Sequence, residues 1–148
     1  MADVTYTFTS EATLGGEKKT IDHSGTVSSV TQVFDQMIPL TTTSTTVLSQ
    51  GSTKAGATLA DWTLLVLENL SSTDAEIINV AFSSTTHTEN FVIQIPAGRF
   101  FVMWNRSFDA DSTAAASDIA SVASSVEKVL AEAASGTPDL RVVVYDDS

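Results

Sequence analysis

Between Asp61 and Leu70 the chain reads Trp62-Thr63-Leu64-Leu65-Val66-Leu67-Glu68-Asn69, a nearly continuous apolar run of strand length. Successive side chains of a strand point to opposite faces, so a run of this kind predicts a strand covered on both sides. The next residues keep the rhythm: a turn at Asn69–Asp74, a strand at Ile77–Phe82, a polar loop at Ser83–Glu89 and the alternation Phe91, Ile93, Ile95. Pro96-Ala97-Gly98 then turns the chain into the short apolar strand Phe100–Trp104. Strands and turns at this spacing predict an antiparallel sandwich rather than alternating β-α units.

The flanks extend the pattern. Val4, Tyr6 and Phe8 alternate with Thr5, Thr7 and Thr9, a strand with one wet face, and Gly15-Gly16 before Glu17-Lys18-Lys19 reads as a turn. Ile21–Ser28 and Val30–Leu40 read as extended, with Pro39 marking a strand end or an edge. The β-branched run Thr41–Val47 favours strand, and Gln50–Ala60 is a Gly/Ser/Ala loop. Ile119, Val122, Val126, Val129, Leu130 and Ala133 fall at helical spacing, with Ser117 as cap and Gly136 and Pro138 as stop, so an α-helix is predicted near 117–134. Leu140–Tyr145 closes as a last strand. The expected fold is mainly β: one domain over 1–148, a single antiparallel β-sandwich, jelly-roll-like or Ig-like, with that one helix. Residues 1–20 are read as an extended arm; Ala2–Ser10 is either an ordinary first strand or a segment that pairs with a neighbouring subunit's sheet edge.

Composition narrows the function. Hydrophobic residues make up 43% of the 148 and mean hydropathy is +0.14, values a disordered acidic chain does not reach. Asp and Glu outnumber Lys and Arg by 18 to 7, for a net charge of −11. That balance argues against nucleic acid or an anionic membrane as direct partner, since both need clustered cations. Without cysteine there are no disulfides and no thiolate chemistry. Met1–Tyr6 lacks the basic and apolar regions of a signal peptide, so synthesis in a host cytoplasm is expected. The 21 Thr and 19 Ser are assigned to wet strand faces and turns.

No catalytic, cofactor-binding or metal site is expected. Asp109-Ala110-Asp111-Ser112 opens like a calcium loop, but Ala114 and Ala120 stand where the loop needs Gly and Glu. His23 and His87 have no short-range partners of a metal or triad motif. Asn69-Leu70-Ser71 and Asn105-Arg106-Ser107 match a glycosylation acceptor but are read as turns. The T-x-T rows Thr5/Thr7/Thr9 and Thr41/Thr43/Thr45 lack the repeats of an ice-binding surface. Trp62 and Trp104, each at the end of an apolar strand, are assigned with Tyr6 and Phe8 to a candidate subunit interface, or to the core.

The segment 62–104 carries a likeness of its own. Leu65-Val66-Leu67-Glu68-Asn69, a short polar turn and Ile78-Asn79-Val80-Ala81-Phe82 lead to Phe91-Val92-Ile93-Gln94-Ile95 closed by Pro96-Ala97-Gly98. This pattern resembles small tailed-phage virion proteins of β-sandwich fold, which serve as capsid decoration or tail accessory subunits. The resemblance implies a non-enzymatic, homo-oligomeric bacteriophage structural protein located in the virion, with itself and other virion proteins as partners and no cofactor. A carbohydrate-binding or adhesin module using an exposed Trp is the alternative.

Overall fold

The computed structural model describes residues 2–49, 62–83, 90–104 and 126–146. Among these residues the fold is all antiparallel strand, and no helix occurs. β1 (Ala2–Leu14) and β2 (Glu17–Val30) form a two-stranded ribbon. β3 (Gln32–Pro39), β5 (Trp62–Asn69), β8 (Phe100–Trp104) and β10 (Asp139–Asp146) form a sheet in the order β3-β10-β5-β8. β4 (Thr45–Ser49), β6 (Ile78–Ser83), β7 (Asn90–Ile95) and β9 (Lys128–Ala133) form another in the order β4-β9-β6-β7. We call them the β5 sheet and the β6 sheet.

The ribbon is built by its turn. Gly15 and Gly16 have φ of 61° and 85°, which a two-residue hairpin of the right twist requires and side chains resist. From Leu14↔Glu17 the pairing runs unbroken to Val4↔Val27, then slips before Ala2↔Val30. Ala2–Ser10 therefore pairs within its own chain.

The two sheets share one core. Leu65 and Leu67 of β5 and Val142 and Val144 of β10 meet Ile78, Val80 and Phe82 of β6 and Val129, Ala131 and Ala133 of β9. These side chains are almost completely buried, each worth about 1.5–3 kcal/mol for the larger ones.

Between residues 128 and 133 the chain is strand β9, not the helix expected near 117–134. The segment satisfies two periods at once: Val126, Val129, Leu130 and Ala133 at helical spacing, and Val129, Ala131 and Ala133 at strand spacing. Ladders with β4 on one side and β6 on the other decide between them. Leu130, part of the helical stripe, turns away from the core and Ala131 turns into it. Residues 117–125 lie outside the described residues. So do the loop 50–61, His87, Asn105-Arg106-Ser107 and the Asp109/Asp111 pair.

Thr41–Val47 is strand only from Thr45. The Thr43 N–H donates to Thr41 Oγ1 and Thr45 Oγ1 donates to the Thr43 carbonyl, both at 3.3 Å. Hydroxyls so placed give the backbone an alternative to a ladder.

Four connections, 40–44, 70–77, 96–99 and 134–138, gather at one end, tied by backbone bonds such as Leu40 N–H to the Pro138 carbonyl (3.0 Å) and Gly98 N–H to the Asn69 carbonyl (3.0 Å). Asn69 knots them. Its Nδ2 donates to the carbonyls of Glu76 (2.8 Å) and Ile95 (3.0 Å), and its Oδ1 accepts from the Ser71 N–H (3.1 Å). Because Asn69 is fully buried, the acceptor-like triplet Asn69-Leu70-Ser71 builds a turn.

Candidate functional site

Three rungs cross the outer face of the β5 sheet. Val33, Tyr145, Leu64 and Trp104 stand in register, then Asp35, Val143, Val66 and Val102, then Met37, Arg141, Glu68 and Phe100. Only Asp35, Arg141 and Glu68 of these are charged, and they are joined. Arg141 donates to both carboxylate oxygens of Asp35, from Nε at 3.0 Å and Nη2 at 2.8 Å, and lies 3.7 Å from Glu68. The Arg141 bond holds the Asp35 carboxyl below its ordinary value, and the same bond holds the Arg141 guanidinium above its own.

The ribbon lies across this face. Val27 and Val30 are buried with Leu64, and Val4 packs alongside Val66, Val102 and Tyr145. Further along, the Tyr6 ring meets Trp104 at 4.3 Å between centroids, tilted by 55°, with His23 at 6.0 Å. Tyr6 is paired with Gly25, and its ring fills the space that a side chain at 25 would need. Glycine opposite a ring lets the ring lie flat on the ribbon and reach β8.

Between Tyr6, Phe8 and His23 of the ribbon and Val66, Phe100 and Val102 of the sheet a cavity of about 310 Å³ stays open. Leu64 and Trp104 line it too, and among the described residues no Asp, Glu, Lys or Arg does. Phe8, Phe100 and Trp104 remain 47%, 58% and 47% exposed. Such a surface binds by giving up water from apolar area, with the Tyr6 hydroxyl and the His23 imidazole as its few polar tips. Among the described residues no three His, Asp or Glu side chains are grouped as a metal ion would need.

Of the four residues assigned to an interface from sequence, the structure brings Tyr6, Phe8 and Trp104 together and separates Trp62. Trp62 is 4% exposed in the core between the sheets. Leu64 pairs with Tyr145 and Trp62 with Asp146, so Thr63 is an extra residue in the ladder and turns Trp62 to the inner side. Sequence reasoning missed Leu64, Val66, Phe100 and Val102 as parts of the same surface. Their signal was present: two strands apolar at consecutive positions have apolar residues left over once the core is filled. Compared with family models, with curated proteins and with solved structures, the chain finds no match.

Proposed function

We propose that the protein is a non-enzymatic bacteriophage virion subunit, a homo-oligomer that decorates the capsid or joins the tail, its two sheets forming a jelly roll. The observation that carries the reading is the apolar outer face of the β5 sheet, which the chain's own ribbon covers only in part. Monomers rarely leave a contiguous apolar patch in water, and closed symmetric association is the usual cover. The strand order supports the architecture: two interleaved four-stranded sheets are how jelly rolls are wound, a design that capsid proteins share with lectins. The likeness of residues 62–104 to phage virion proteins favours the capsid side of that pair. The test is light scattering over a concentration series, with co-sedimentation against phage capsids and tails. An oligomer that binds particles is expected; a monomer at every concentration that binds neither overturns the proposal.

The half-exposed ring of Trp104 favours a second reading, a carbohydrate-binding or adhesin module. A glycan array settles it: silence, or binding unchanged in Trp104→Ala, removes that reading.

A further inference from the structure

We propose that the outer half of the ribbon, residues 9–22, is an arm that a second copy of this chain receives against its own open groove, the two copies exchanging arms about a two-fold axis. The inference rests on the homo-oligomeric reading and names the surfaces that would make it.

The ribbon's own contacts give out where the arm begins. Its root packs on β5 and β10 through Val27 and Val30, and Tyr6 reaches the edge strand β8. From Thr9 to Ser24 every side chain that is described is exposed, with Ile21 at 63%. At about 3.4 Å per residue this leaves roughly 20 Å of ribbon without a layer of described residues beneath it. A two-stranded ribbon in water is marginal by itself. The arm's ion pairs, Lys18–Glu11 and Lys19–Glu17, are more than half exposed and add little.

The groove beside Trp104 is the fitting receiver. Two copies at −11 repel wherever carboxylates face each other, and among the described residues the groove lining has none. The arm carries Glu11, Glu17 and Asp22 against Lys18 and Lys19. The lysines pair with the two glutamates and Asp22 accepts from Thr9 Oγ1, so the arm brings a net charge of −1 to a groove lined without acids among the described residues. β8 borders the groove as Phe100-Phe101-Val102-Met103-Trp104, an edge without a charge or a proline. With aromatic side chains burying 150–250 Å² each, the exposed fractions of Phe8, Phe100 and Trp104 come to about 300 Å². A standard interface takes ~800 Å² per partner, so the exchange requires the exposed arm, with Ile21 at 63%, to bury the rest.

Two experiments decide it. In the first, residues 9–22 are replaced by Asn-Gly, which joins Phe8 to its ladder partner His23 through a two-residue turn. The mass seen by light scattering is expected to fall by half while the melting temperature of the sheets stays. In the second, Ile21→Cys and Phe100→Cys are made separately in the otherwise cysteine-free, full-length chain, co-expressed and oxidised. A cross-linked pair is expected from the mixture and not from either variant alone, a readout that holds even where the shortened ribbon fails to fold. An unchanged mass in the shortened variant together with no mixed cross-link overturns the arm exchange and leaves the homo-oligomer standing. A full-length chain that is monomeric at every concentration overturns both.

Discussion

The outer faces of the two sheets are made differently. On the β5 sheet two outward rungs carry Leu64, Val66, Val102, Trp104, Val143 and Tyr145, residues that belong in a core, with the charged Asp35, Arg141 and Glu68 to one side. On the β6 sheet the matching positions are Thr46, Leu130, Ala81 and Val92 in one rung and Glu132, Asn79 and Gln94 in the next, with Gln94 Nε2 donating to Asn79 Oδ1 at 3.0 Å. The first face needs a third layer; the second is mostly small and polar, with a depression of about 150 Å³ lined by Ala81, Val92 and Leu130. The difference teaches where association energy can come from. Burial is worth about 25 cal/mol per Å² of apolar area, so the face with large side chains is the one that gains by being covered.

The contrast depends on which side of each strand is outward, and β9 is where that is most easily broken. Ala131 faces the core at 1% exposure, while Leu130 sits in the outer depression. Ala131→Lys should cost about 4 kcal/mol or more, since it buries a charge with no partner, and Leu130→Lys about 1 kcal/mol or less. Urea denaturation of both variants checks it. Equal losses, or a larger loss at Leu130, would return the segment to a helical arrangement and dissolve the distinction between the faces.

The same residues show what the sequence made legible. Strand positions at Val4–Thr9, Phe91–Ile95, Phe100–Trp104 and Leu140–Tyr145, and the turns at Gly15-Gly16 and Pro96–Gly98, follow from local pattern because alternation and glycine geometry are local causes. The fate of Val126–Ala133 does not, since a helix and a strand explain its apolar spacing equally well and the choice lies with β4 and β6, distant in sequence. The face of Trp62 depends on one extra residue, Thr63, that no pattern announces. At the candidate site, Trp104 could be named from its size and strand-end position, and Tyr6 and Phe8 from their alternation with threonines. Their meeting could not, because it needs the ribbon to fold back over the sheet and Gly25 to admit the Tyr6 ring.

A matched pair of acidic substitutions sharpens the contrast between the faces. Val66 and Ala81 are both half-buried and both outward, one under the ribbon and one on the open sheet. Val66→Asp should destabilise by about 2–3 kcal/mol, because it half-buries a carboxylate beside Val102 and against the Val27, Val30 and Leu64 cluster. Ala81→Asp should cost about 0.5 kcal/mol, as at an ordinary surface. Thermal melts of the two variants report the difference. If they lose the same amount, the ribbon does not shield the β5 sheet and the two faces are equivalent.

The smallest effect tests the charged line that bounds the apolar region. Asp35, Arg141 and Glu68 run diagonally across β3, β10 and β5, from the rung of Val143 and Val66 to the rung of Met37 and Phe100. Arg141 lowers the Asp35 pKa in the folded chain, so the folded state holds its proton less tightly than the unfolded state does. Stability from this pair is therefore fully present above the ordinary Asp value, about 3.9, and is lost as pH falls through the lower folded value. Both side chains are nearly half exposed, so solvent and salt screen the gain and keep it small. Wild type should be slightly more stable than Asp35→Asn at neutral pH, with the gap closing below about pH 4 and narrowing as salt is added. Denaturation midpoints at the two pH values measure it. A gap independent of both pH and salt would mean that Asp35 acts by shape, and that the boundary of the apolar face is set by packing instead of charge.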